Sequence, residues 1–201
     1  MPPEPLVLAF DTSAAHCAAA LLCGDRIVTR VEMMAKGQAE RLVPMLDEVL
    51  ADEGVVWSDL DALVVGVGPG NFTGIRIAVA LARGLALGLG IPAVGVTGLE
   101  ALAFGRNRPL TVALEAPRGQ AYVQVFGMDV VGSAEIVDTA PVGARRVQDV
   151  DLAHFITALA QAGQAKAVTV QEAGAQPRPA PFYLRSADAA PASDLPPVIL
   201  A

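Results

Sequence analysis

Chemistry-bearing side chains are scarce in this sequence. Its 201 residues hold two histidines, two cysteines and one tryptophan, and only 17% of them are charged. His16 and His154 stand far apart, so no His-x-x-x-His pair grips zinc on a helix face, and two thiols do not make a structural zinc site. Cys17 and Cys23 lie in an alternating run that reads as a strand. They share one face about 20 Å apart at about 3.3 Å per residue, too far for a disulfide. No Gly-x-Ser-x-Gly elbow presents a nucleophile. The one glycine-rich loop, Gly66-Val-Gly68-Pro-Gly70-Asn71, has Asn71 where a dinucleotide fingerprint needs glycine, and no Gly-Lys-Ser/Thr follows it. Long apolar runs are missing too. The longest charge-free stretch, Gly84 to Leu99, is broken by glycines and Pro92 and falls short of the roughly 20 residues of a membrane span. The start, Met-Pro-Pro-Glu-Pro, lacks the basic and apolar regions of a signal peptide, so the expectation is a reduced, cytoplasmic protein without membrane partners. A net charge of −7 argues against a free-standing nucleic-acid binder.

What is present is apolar. Residues of the hydrophobic class make up 53% of the chain, with a mean hydropathy of +0.48, although 37 of them are alanines that bury little area each. Disorder is excluded. Leu6–Phe10 reads as a buried strand, and His16–Cys23 and Arg26–Met33 as a hairpin about Gly24-Asp25. The period then changes to helical from Ala39 to Glu53, with Pro44 in the first turns. A strand over Asp61–Val67 enters the glycine loop, and a helix over Thr73–Leu89 stops at Gly90 and Pro92. A strand at Ala93–Val96 and a helix at Thr97–Phe104, capped by its threonine, complete the first half. The order β-β-β-α-β-α-β-α predicts an α/β layer with a mixed sheet. The second half reads as strands at Leu110–Leu114, Ala121–Phe126 and Glu135–Thr139, a helix at Leu152–Ala162 and a strand at Lys166–Val170. From Gln176 a proline-rich tail follows. The predicted division is 1–105, 106–175 and 176–201.

Two groups of residues are candidates for function. Asp11, Thr12 and Ser13 end the first strand, and Gly68, Gly70, Asn71 and Thr73 open the second helix, where exposed N–H groups suit a nucleotide or phosphate. Asp11 could hold Mg²⁺ or orient water, with Glu115 as a second carboxylate; equally, it could cap a turn and the loop could simply pack tightly. The second group is a surface. From Thr73 to Leu89 only Arg76 and Arg83 are charged, and apolar residues surround the axis, as in a helix buried on both sides. A partner interface is predicted over Ile75, Arg76, Val79, Ala82, Arg83 and Ala86, joined by Leu42, Met45, Leu46 and Val49 of the first helix. The alternative is cover from the second lobe or a neighbouring helix.

Three blocks, Leu8-Ala-Phe-Asp-Thr-Ser13, Gln38-Ala-Glu-Arg-Leu-Val-Pro44 and Gly66-Val-Gly-Pro-Gly-Asn-Phe-Thr-Gly-Ile-Arg76, resemble the bacterial TsaB (YeaZ) family. Ala82-Arg-Gly-Leu-Ala-Leu-Gly88 and Tyr183-Leu-Arg185 extend the match, which covers Leu6 to Phe104 well and the remainder thinly. The resemblance implies an ASKHA fold (the actin, sugar-kinase and Hsp70 class) with two ribonuclease-H-like lobes. It implies a role in forming threonylcarbamoyladenosine at position 37 of tRNAs that read codons beginning with A. In that system the paralogue TsaD carries the metal and transfers the group, and the ATPase TsaE joins the complex. TsaB-like proteins are the non-catalytic subunit, dimerising with TsaD or with themselves through the first lobe's helices. The resemblance implies no metal or cofactor in this chain, although a nucleotide could sit between subunits, and tRNA is reached through the complex. The family's peptidase-like label is opposed by the missing histidine pair. There are departures: Gln38 stands where many members have histidine, and Glu115-Ala-Pro-Arg-Gly-Gln-Ala-Tyr122 replaces a segment like Asp-Ala-Arg-x-Gly-Glu-Val-Tyr. An ATP- and Mg-dependent phosphotransferase or ATPase of the same fold is the alternative. A ribonuclease-H-like nuclease would need clustered carboxylates for two metals.

Overall fold

A computed structural model describes residues 5–172 and 178–184. Three strands, β1 (Leu6–Asp11), β2 (His16–Cys23) and β3 (Arg26–Met33), form a meander, followed by α1 (Gln38–Asp52). Then come β4 (Ala62–Gly66), α2 (Phe72–Leu89), β5 (Ala93–Val96) and the short α3 (Gly98–Ala103). These strands make a five-stranded sheet in the order β3-β2-β1-β4-β5, parallel at β1–β4 and β4–β5 and antiparallel elsewhere. The mixed sheet and the alternating second part are as the sequence predicts. Cys23 pairs with Arg26 across Gly24-Asp25, and both cysteines are free thiols. Burial is the main reason that the Cys17 thiol is pushed up to about 11, so it is an inert core residue.

The second half adds β6 (Leu110–Glu115), β7 (Ala121–Phe126), β8 (Glu135–Val137) and the two-residue β9 (Arg145–Arg146), a four-stranded sheet in the order β8-β7-β6-β9. One expectation is overturned. Lys166–Val170 is no strand; it continues α4, which runs unbroken from Leu152 to Glu172. Strand propensity at Val168, Thr169 and Val170 loses to packing, because Ala160, Gly163 and Ala167 continue one helical stripe that is buried. Of the segment read as a tail, residues 178–184 turn back onto the first sheet. The Phe182 amide donates to the Val67 carbonyl at 2.8 Å. The remainder of the tail lies outside the described residues.

The alternation of β2 explains how the first sheet is covered on both faces. Cys17, Ala19 and Leu21 face the α1/α2 side with Phe10, Leu46 and Ile75. Ala18, Ala20 and Leu22 face the other side, with Val64, Phe155 and Leu159. α1 is tied to the edge strand β3 by an ion-pair lattice. Arg30 donates to Glu48 (2.5 Å) and Asp52 (2.6 Å), while Arg41 donates to Glu32 (2.6 Å) and Glu48 (2.7 Å). α2 starts where Asn71 Oδ1 accepts from the Gly74 amide at 2.9 Å, and ends at Gly90, whose φ of 71° is left-handed. By length and apolarity alone α2 would pass for a membrane span, but Ile75, Ala78, Val79 and Ala82 are buried against the sheet.

Candidate functional site

At the end of β1 the chain turns under the glycine loop, and the structure brings the first candidate group together. Asp11 is 1% exposed. Its Oδ2 accepts from the Ser13 amide (3.0 Å) and the Ser13 hydroxyl (2.9 Å), and lies 2.7 Å from His16 Nε2. Thr12, fully buried, donates its hydroxyl to the Gly74 carbonyl at 2.7 Å, and the Asn71 amide donates to the Ser13 carbonyl at 2.6 Å. The two segments are therefore fastened to each other. A Cβ at Gly66 would overlap Asp11 Oδ1, which gives the glycine a steric reason to be there. Of the two readings left open for Asp11, the geometry supports the turn and packing role. His16 was not singled out by sequence reasoning; its signal was a lone polar residue opening an otherwise apolar strand.

Ser13, Gly70 and Asn71 also line a cleft of about 820 Å³. Its opposite wall comes from the second sheet and α4, with Glu115, Tyr122 and Phe155. Asp11 and Thr12 lie behind it, Gly68 is buried beside it, and Thr73 does not line it. No Lys or Arg is among the described lining residues, which include His16 and the Glu115 carboxylate. The Gly74 amide at the helix start is already taken by Asn71. Among the described residues no three His, Cys, Asp or Glu side chains gather as a metal site.

The second candidate group divides. Leu42, Met45, Leu46 and Val49 are 0–1% exposed, and Ile75, Val79 and Ala82 are 0–3% exposed, all inside the chain's own core. They are not available to a partner. Their spacing is one apolar stripe per helix, and that stripe is the one the sheet requires. Arg76, Arg83 and Ala86 remain at or near the surface. Arg76 lies 3.6 Å over the Phe72 ring and donates to the Tyr183 hydroxyl at 3.0 Å, and Phe72 stacks on Tyr183 with centroids 4.9 Å apart. The outer face of α2 that sequence reasoning passed over is formed by Ala80, Gly84, Leu87 and Gly88, with Leu87 86% exposed.

A five-stranded mixed sheet in the order β3-β2-β1-β4-β5, with helices on both faces and a second mixed sheet across a cleft, is the α/β architecture of the ASKHA class. Residues 31–185 match the family model described as TsaD: tRNA N6-adenosine threonylcarbamoyltransferase. The tRNA threonylcarbamoyladenosine biosynthesis protein TsaB of Escherichia coli is 34% identical over 128 residues, covering 61% of this chain and 55% of that protein. TsaB of Bacillus subtilis is 36% identical over 124 residues, covering 60% of this chain and 54% of that protein. The structure of YeaZ from Pseudomonas aeruginosa superimposes with a TM-score of 0.67 at 25% identity, over 82% of this chain and 94% of that one. The chain belongs to the TsaB (YeaZ) family, within the larger group that the TsaD model describes. It spans about half the length of the curated relatives it matches.

Proposed function

We propose that the chain is a non-catalytic subunit in the formation of threonylcarbamoyladenosine at position 37 of tRNAs reading codons that begin with A. It orients a catalytic TsaD-type paralogue in the cytoplasm, joins TsaE in the assembly, and forms a homodimer when alone. The observation that carries the reading is the open face of α2. Ala80, Gly84, Leu87 and Gly88 leave an apolar, low-relief surface on which a second helix could pack closely, with Arg83 beside it. A tightly tied Asp11 fits a structural role better than catalysis.

The test is light scattering on a sizing column, with the chain alone and mixed with the TsaD-type protein of the same organism. A Cβ at Gly84 meets nothing within 4 Å. Gly84→Glu should therefore leave the monomer fold and its melting temperature intact while abolishing the dimer and the mixed complex. Unchanged assembly in that variant defeats this placement of the contact. Substituting Val79 or Ala82 would test folding instead, since both are buried.

The second reading is an ATP- and Mg-dependent phosphotransferase or ATPase, or a nucleotide held where the cleft meets a partner; the interlobe cleft has the volume for it but no Lys or Arg among its described lining residues. Steady ATP turnover by the chain alone would establish the enzyme reading. Nucleotide binding that appears only in the complex would support the subunit boundary.

A further inference from the structure

The charge of the molecule is unevenly spread. Residues 1–105 hold six Lys+Arg against twelve Asp+Glu, whereas 106–175 hold six against seven. In the first lobe Arg26, Arg30 and Arg41 are all paired with carboxylates. The second half differs. Two adjoining recesses, of about 740 and 880 Å³, share the walls Thr97, Glu100, Lys166 and Phe182. Arg106 and Arg108 line one recess, Arg178 lines the other, and Lys166 lines both.

Among the described lining residues Glu100 is the only carboxylate, and it is already occupied. Its Oε1 pairs with Lys166 Nζ at 2.7 Å, and its Oε2 accepts from the Thr97 amide at 2.8 Å and the Thr97 hydroxyl at 3.1 Å. Arg108 lies over the Phe126 ring at 5.6 Å, and Phe104 is 37% exposed at the rim. Arg145 Nε is buried with no hydrogen-bond partner, and burial, together with the nearby Arg106 charge, lowers the Arg145 pKa. Arg145 lies behind the recesses rather than in their walls, so the like charges of Arg106 and Arg145 are held near each other, with Asp149 offsetting Arg145 in part.

We infer that this groove between α3 and α4 takes the phosphodiester backbone of RNA. The basic lining continues through two recesses, which suits a repeating anion better than a single phosphate. The exposed Phe104 ring at its rim and the half-buried Phe182 offer faces to sugars and bases. The groove lies with α3 and α4, across the first sheet from α1 and α2, so a partner on α2 leaves it free. The inference rests on the tRNA-modification reading for its choice of polyanion. It also revises the sequence-based expectation that tRNA is reached only through the complex.

The test is fluorescence anisotropy of the full chain with a fluorescein-labelled RNA stem-loop of anticodon-arm sequence, across a salt series. The wild-type chain is expected to bind at low salt. The double variant Arg106→Gln/Arg108→Gln should bind about tenfold more weakly, with the slope of log K against log salt reduced by about 1–2. Arg83→Gln, on the far side of the sheet, should bind as the wild type does. Circular dichroism checks that the variants fold. No binding by the wild-type chain, equal binding by the double variant, or an equal loss in Arg83→Gln would overturn the inference. So would a polyglutamate peptide displacing the RNA at equal charge, which would mark the groove as a dock for an acidic protein. The double variant should still co-elute with the TsaD-type protein, and Gly84→Glu should still bind RNA, so the two readings fail separately.

Discussion

The two faces of the five-stranded sheet are closed by different means. On the α1/α2 side, Leu8, Phe10 and Leu21 meet Leu42, Met45 and Leu46, large side chains that fill the space between the layers. On the α4 side the large side chains Phe155, Ile156 and Leu159 share the layer with many small residues, Ala9, Ala18, Ala20 and Ala62 of the sheet and Ala160, Gly163 and Ala167 of the helix. There the helix approaches so closely that a Cβ at Gly163 would overlap the methyls of Val64. A contact between large side chains is harmed mainly by removing atoms, and a close approach through small residues by adding them. The first face also leaves the outer side of its helix α2 open, while on the second face α4 is tied to α3 and through it to the other lobe.

Substitutions sharpen that contrast. The largest effect is expected from Leu46→Ala on the α1/α2 side. Leu46 is fully buried, and the cavity should cost about 2–5 kcal/mol in denaturant unfolding. Next comes Gly163→Val, where added methyls push α4 from the sheet at about 1–3 kcal/mol. Val64→Ala should partly rescue it by clearing the contact. If Gly163→Val is silent, the close approach is not what holds α4, and the comparison breaks.

The smallest effect concerns pH. Arg41, and less strongly Arg30, hold the Glu48 carboxylate down to about 2. A depressed carboxylate contributes its stability above its unfolded value of about 4.3 and loses it as pH falls through the folded value. Melting temperature should therefore fall between about pH 4.3 and pH 2 in the wild type, and less steeply in Glu48→Gln. The amplitude should be small, because exposed pairs are screened by water and salt.

Much of the fold was legible because local rules agreed with one another. The Gly24-Asp25 hairpin, the threonine cap of α3 and the Gly90 stop each place a boundary that the structure keeps. The reading failed at Lys166–Val170, where strand-like residues ride on a helix held by distant contacts. It failed again at the interface residues. An apolar residue in a helix announces burial, but Val79 and Leu87 look alike until the sheet is in place. The candidate loop was found by its glycines and Asp11, yet the role of His16 rests on a contact made across the β1–β2 turn.

By itself the sequence determined the order of elements in the first half, the mixed sheet and the blocks that mark the family, because periodicity, caps and turn residues act over a few positions. Only the tertiary structure decided which side of α2 is free, which carboxylates are already bonded, and that Arg106, Arg108, Lys166 and Arg178 line two adjoining recesses. Burial and charge neighbourhood arise between residues far apart in the chain, and composition averages them away. A net charge of −7 says nothing of where the positive charges gather.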